Sequence, residues 1–285
     1  NAACVFMIFL GILLYYEVKL TYLPSSWTII LFNVMLFVLC LWSQTQLIKS
    51  KPADRQLTFF YVMISLGGFI GGFVTSWIIP LISHTPVEFL LSLLLIACMF
   101  KRAWLRLVLI GFVFVAMVVD NFVNIHCYIY HRPPSQIIKR NYYGIYEVYD
   151  TKSGVRTFVH GTTLHGIQWG MPERRFIPLG YYSPNSPLGQ VIINDVFNAH
   201  HIGAIGLGAG TMAMYTRPDL SMDFYELDPD VVDIARNYFW YLKLAPGLVN
   251  VHVGDARVSL AGTDSVYDIL VIDAFGGDSI PFHLI

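Results

Sequence analysis

Charge is scarce in this chain. Asp, Glu, Lys and Arg make up 13% of its 285 residues, where an ordinary globular domain carries roughly a quarter. The shortage is uneven. Residues 2–122 are mostly apolar runs broken by short polar stretches, whereas from Asn141 onward the composition is that of a soluble enzyme. No basic block is present and the formal net charge is -1, which excludes a nucleic-acid binder, a class that shows a lysine- and arginine-rich face. Cysteine is scarce too. Cys4, Cys40, Cys98 and Cys127 include no C-x-x-C pair, and the first three lie inside apolar runs, so neither a zinc ribbon nor a disulfide framework is expected. An initiator methionine and a basic n-region are both missing ahead of the first apolar run, which therefore does not read as a signal peptide. Both ends are expected to be truncations: the last residues, Pro281-Phe-His-Leu-Ile285, stop where an α/β fold needs further strands.

The apolar half divides into helical spans. A helix rises about 1.5 Å per residue, so roughly 20 apolar residues cross a hydrocarbon core of about 30 Å. Runs at 2–16, 27–42, 59–82, 89–100 and 105–122 give about five spans, the fourth being short. Region 1–123 is thus expected to be a multi-pass helical membrane region. Gly67 with Gly71 and Gly68 with Gly72 form two small-x-x-x-small pairs that allow close helix packing. Glu17, Lys19 and Asp120 sit near span ends, as interfacial charges do, and do not outline an ion pathway. Lys49, Lys51 and Arg55 in one loop and Lys101, Arg102 and Arg106 in another place both loops in the cytoplasm. With five spans the C-terminal region then falls on the outer face, while His131, Arg132, Lys139 and Arg140 favour the inner one, so the side stays open.

The Pro pair in His131-Arg-Pro-Pro134 interrupts both helix and strand, which predicts a linker over 124–140. Residues 141–200 read as a small β region plus a helix: β-prone runs at 142–148 and 156–160 flank the polar turn Asp150-Thr-Lys-Ser-Gly154, and 187–200 has a helical apolar face. From residue 201 to 285 the pattern is strand, glycine turn, helix, strand, helix, strand, short helix, strand, with strands at 202–207, 222–227, 249–253 and 267–272. Continuous apolar runs such as Ile269-Leu-Val-Ile272 suit a parallel sheet covered on both faces. The expected fold is a doubly wound, Rossmann-like α/β domain of the methyltransferase type, incomplete at its end, with ligand at the carboxyl ends of its strands.

Candidate chemistry collects at those ends. Gly206-Leu-Gly-Ala-Gly-Thr211 follows the first strand and is expected to open a helix, its glycines admitting backbone close to a ligand. Glu226 ends the second strand about 20 residues later, where a carboxylate accepts from ribose hydroxyls. Asp255 ends the third strand, within reach of an adenine amino group, and Asp273 ends the fourth. Capping of the following loop is the plain alternative for each acid. His160 and His165 lack the companions of a metal site and suit hydrogen-bonding roles. His200 and His201 close a helix. The tyrosines read as packing residues, Tyr181 and Tyr182 excepted.

Over residues 142–285, these motifs resemble spermidine synthases and related aminopropyltransferases. The runs Phe60-Tyr-Val-Met-Ile-Ser-Leu-Gly-Gly68 and His160-Gly-Thr-Thr-Leu-His-Gly-Ile-Gln168 look like bacterial proteins in which such a domain is fused to a multi-pass membrane region. The resemblance implies transfer of an aminopropyl group from decarboxylated S-adenosylmethionine to an amine, with no metal. It implies Asp273 as the catalytic acid, and Gly206, Gly208, Gly210, Glu226 and Asp255 as cofactor-binding residues. Substrate contacts would fall at Tyr182, Asp278 and Gln168. The partners implied are a small amine acceptor and the lipid bilayer of a bacterial inner membrane, with a homo-oligomer as an option. The chain departs from the family at Ala209, where an Asp is usual, at His160-Gly161 in place of an Asp-Gly pair, and at residues 180–185, which lack the usual acids. Fewer carboxylates near the acceptor argue against putrescine itself. Ala209 also keeps an S-adenosylmethionine-dependent methyltransferase open, and the membrane half with the thinned acceptor region keeps open a non-catalytic transporter or sensor.

Overall fold

A computed structural model describes residues 2–274 apart from 22–25, 84–86, 131–134 and 162; side chains at 2–3, 16–21, 26, 28, 54, 119–130 and 135 are outside the description. Asp278, with the rest of 275–285, and the side chains of Glu17, Lys19, Asp120 and Cys127 therefore lie outside the described residues. The chain divides into two compact units, 1–127 and 128–285.

The first unit is helical. It comprises α1 (Ala2–Thr21), α2 (Ser26–Lys49), α3 (Leu57–Phe73), α4 (Ile79–Ile82), α5 (Val87–Cys98) and α6 (Ala103–Tyr130). A π-helical turn, Val74–Ile78, joins α3 to α4. Pro80 accounts for it: a proline lacks the N–H that would bond one turn back, and the ladder re-registers around the gap. Ile8, Ile12, Met35, Leu39, Leu90, Leu93, Leu109 and Val113 form a buried cluster between α1, α2, α5 and α6. By contrast α3 buries none of its residues, and Phe59, Phe69, Trp77 and Leu81 stand exposed along 57–82. Two helical stretches, Ile29–Lys49 and Leu57–Ile82, are long and apolar enough to cross a membrane. The helix that holds the fifth expected span runs further than that span, since α6 continues from 122 to Tyr130.

The second unit holds two sheets. The first is antiparallel, in the order β1 (Ser135–Arg140), β2 (Ile145–Asp150), β3 (Val155–His160), β4 (Thr163–Trp169). The linker expected over 124–140 is thus shorter, because residues 135–140 pair with β2, Lys139 opposite Tyr146. Alternation in β2 buries Tyr146 and Val148, as expected of a sheet with one covered face. Polar clamps tie this sheet to α8 (Pro229–Tyr238). Lys139 pairs with Asp230 and Asp233, Asn141 donates to Asp228 at 2.7 Å and to Asp230 at 2.8 Å, and Arg156 donates to the Tyr238 carbonyl at 2.8 Å.

The second sheet is parallel, in the order β7 (Val249–Val253), β6 (Ser221–Glu226), β5 (His201–Ile205), β8 (Ile269–Ile272). Short helices α7 (Pro187–Ile193), α9 (Tyr241–Leu244) and α10 (Ala256–Ala261) complete the unit with α8. Ile202, Ala204, Met222 and Phe224 of the two central strands pack with Val231, Ile234 and Ala235 of α8 in one core. Two expected helices are shorter than read. The helix over 187–200 stops at Ile193, where Asp195 (φ 49°) and Asn198 (φ 48°) take the left-handed conformation that Asn and Asp tolerate best among non-glycine residues. After the glycine loop only a 3-10 turn forms, Thr211–Tyr215, because Pro218 leaves too few residues before it for a helix and biases Arg217 away from helical geometry.

Candidate functional site

The order β7-β6-β5-β8 runs outward in both directions from β5. A crossover to β6 and a separate return to β8 open a crevice at the carboxyl ends of β5 and β8, where ligands of open α/β sheets bind. A cavity of about 350 Å³ lies there, a size suited to a small molecule (roughly 300–1,000 Å³). Gly206, Gly208, Glu226, Asp255 and Asp273 all line it. The four strand ends thus deliver one loop and three carboxylates to a single space.

The loop needs its glycines for two stated contacts. Gly206 has φ 98°, and a Cβ there would lie 2.4 Å from the Asp273 carbonyl oxygen; Gly208 has φ 53°, and its Cβ would lie 2.4 Å from the His165 carbonyl oxygen. A side chain at either position would displace backbone, in a conformation that costs L-residues energy as well. Gly210 does not reach the cavity and packs against Leu242.

Each acid is held differently. Glu226 accepts from the Leu207 N–H through Oε2 and from the Asp228 N–H through Oε1, both at 3.0 Å. Burial nevertheless raises its pKa above the ordinary carboxylate value, against those two hydrogen bonds. Asp255 caps α10, its Oδ1 accepting from the Arg257 N–H at 2.9 Å, and pairs with the Arg257 guanidinium at 2.7 Å. That pairing lowers its pKa to about 2. The capping alternative is therefore realised at Asp255, while its carboxylate still lines the cavity. Asp273 Oδ2 accepts from the Tyr182 hydroxyl, and from the Tyr181 hydroxyl at 3.5 Å. Burial raises the Asp273 pKa and outweighs both phenols. Burial also pushes both phenol pKa values upward, with the Asp273 charge adding to it, so both remain protonated donors.

Tyr182 thus reaches Asp273 without lining the cavity itself. Gln168 does not come to the site. It is buried between the sheets' connections, its amide donating to the Arg175 carbonyl and accepting from the Trp240 N–H, both at 3.0 Å. Its polar capacity is used in holding those loops together.

Other lining residues were not legible as such. Tyr146, His160 and His165 of the antiparallel sheet, with Tyr142 and Tyr143 of its β1–β2 connection, form a wall, and Tyr225, Asp228 and Val231 add to the rim. The histidines stack, ring centroids 5.6 Å apart. Burial lowers both of their pKa values, that of His165 to about 4, so both are neutral near pH 7. Among the described residues no Lys or Arg lines the cavity. Among the described residues no group of three or more His, Cys, Asp or Glu could hold a metal ion.

The chain matches curated aminopropyltransferases over part of its length. It is 41% identical over 86 residues to the polyamine aminopropyltransferase of Vibrio vulnificus. It is 27% identical over 132 residues to a probable polyamine aminopropyl transferase of Bifidobacterium longum. These stretches cover 28% and 45% of this chain, and in each case 28% of the relative. No family profile matches. Two solved structures align over 53% of the chain: a spermidine synthase from Thermotoga maritima (13% identity, 49% of that chain, TM-score 0.39) and a probable spermidine synthase from Corynebacterium glutamicum (18% identity, 53% of that chain, TM-score 0.39). Part of this chain is therefore polyamine-aminopropyltransferase-like in sequence, and both curated relatives carry the name of a transferase.

Proposed function

We propose that the chain is a membrane-tethered aminopropyltransferase that uses decarboxylated S-adenosylmethionine as donor and an amine as acceptor. One observation carries this reading: Glu226, Asp255 and Asp273 line one cavity with Gly206 and Gly208, and among the described residues no Lys or Arg lines it with them. Such a wall suits a ligand that brings hydroxyls and positive charge. In this reading Glu226, fixed by two backbone N–H groups, holds the ribose hydroxyls, and Asp255 lies on the base side. Asp273, less acidic than an ordinary carboxylate, faces the reacting centre.

The reaction asks for positioning and for one proton acceptor. The acceptor amine must be neutral and in line with the carbon next to the sulfonium, which proximity in a closed site supplies. Its lone pair forms the new C–N bond as the C–S bond breaks, and that electron pair leaves with sulfur as the neutral thioether methylthioadenosine. The proton lost from nitrogen passes to Asp273, whose raised pKa makes it the better base. The phenols of Tyr181 and Tyr182 hold the carboxylate in place.

The apolar helical unit supports the tether, with α3 carrying exposed large apolar side chains on a helix that buries nothing. A helix apolar all round is either enclosed by protein or set in a bilayer.

The test is product analysis of the full chain with decarboxylated S-adenosylmethionine and a panel of amines. Methylthioadenosine release is expected, and D273N should lower turnover by about 10²- to 10⁴-fold. No release with any amine, or full activity in D273N, would overturn the assignment. A methyltransferase is the second reading, favoured by Ala209, which is buried at 1% exposure and places no charge in the loop. It would consume S-adenosylmethionine and release adenosylhomocysteine.

A further inference from the structure

Gln168, which does not reach the cavity, holds a different surface together. By bonding the Arg175 carbonyl and the Trp240 N–H it joins the loop after β4 to the connection between α8 and α9. Three cations stand on that joint. The Arg175 guanidinium lies over the Trp240 ring, 4.6 Å from its centroid, and the Lys243 ammonium lies over the same ring at 5.1 Å. The Arg174 guanidinium lies over Trp169 at 5.6 Å. Elsewhere in this unit Lys139, Arg156, Arg217 and Arg257 each pair with a carboxylate. Among the described residues Arg174, Arg175 and Lys243 have no such partner. An aromatic face orients a cation without neutralising it, so these charges stay available to an outside anion.

Apolar groups accompany the charge. Met171 and Phe176 flank the two arginines on one loop and Leu244 follows Lys243; all three are exposed, Phe176 to 55%. Across 169–176 and 240–244 the one acid is Glu173. An inorganic anion would use the cations and leave the aromatic and aliphatic groups in water. A surface of anionic lipid takes both: phosphates meet Arg and Lys, tryptophan settles at the level of the headgroups, and Phe, Met and Leu reach the acyl boundary. These segments belong to the unit that follows the apolar helices of residues 1–127 in the chain. Helices tethered in a bilayer keep lipid at a high effective concentration for whatever is joined to them, an advantage that a soluble acidic protein lacks.

We infer that the surface built by Arg174, Arg175, Lys243, Trp240 and Phe176 docks on anionic phospholipid headgroups. The inference rests on the tether proposed above. It gives the second unit its own contact with the membrane, made by side chains that the cavity does not use.

Photocrosslinking of the full chain in lipid nanodiscs tests it, with p-benzoylphenylalanine in place of Phe176. In discs of phosphatidylcholine mixed with phosphatidylglycerol, lipid adducts are expected at a yield several-fold above that in phosphatidylcholine alone. High salt should remove the difference. R174Q, R175Q and K243Q should each lower the adduct yield by up to about fivefold, the share of one cation near an anionic surface. Thermal unfolding identifies a variant that has lost its fold, and the comparison between the two lipids, made on one protein, stands without the variants. Equal yields in the two discs, adducts to protein in place of lipid, or yields indifferent to all three substitutions overturn the docking alone. A chain that enters neither disc overturns the tether, and the docking with it.

Discussion

Burial lifts the pKa of Asp273, and the hydroxyls of Tyr182 and Tyr181 pull it back. In the proposed reaction that balance sets the acid limb of activity. A base works only when ionised, so turnover should fall as pH drops through a pKa that lies above the ordinary carboxylate range. Removing the Tyr182 hydroxyl takes away a hydrogen bond to the charged form, which moves the pKa further up. Y182F should therefore shift the acid limb of the pH–rate profile upward by about one to two pH units, the value of one bond to a charged group. A limb that stays in place would show that Asp273 does not titrate in turnover. The residues of this apparatus were unequally legible. Glu226, Asp255 and Asp273 could be read because each stands at or just past the end of a β-prone run. Tyr146, His160 and His165 could not, because their access to the cavity depends on how the antiparallel sheet meets the glycine loop, and that contact lies far apart in sequence.

Element boundaries failed where local chemistry overrode periodicity. The apolar face over 187–200 continues past Ile193, yet Asp195 and Asn198 turn left-handed and end the helix. The glycine loop lacks the helix expected behind it, so in the proposed site it offers a ligand backbone geometry and Glu226, with no extended row of helical N–H donors. Among the apolar helices the composition was a sound guide to existence and a poor one to length, as α6 shows. The same helices carry a prediction. Ile29–Lys49 and Leu57–Ile82 are each long enough for a bilayer, so the chain should stay in the membrane pellet after alkaline carbonate washing. Release into the supernatant would contradict the tether.

The contrast in composition between the two halves of the chain reappears as two compact units, with the boundary at 127/128 close to the proline pair that marked it. Everything proposed about chemistry resides in the second unit, at the carboxyl ends of the parallel strands with one wall from the antiparallel sheet. The chain spans about a quarter of the length of the curated relatives it matches, so the proposed activity rests on the cavity and its residues. The most direct measurement is an experimental structure of the full chain with 5′-methylthioadenosine. The ribose hydroxyls are expected on the Glu226 carboxylate, the base beside Asp255 and the thioether sulfur next to Asp273. A nucleoside seated elsewhere, or a cavity that stays closed to it at saturating concentration, would contradict the account.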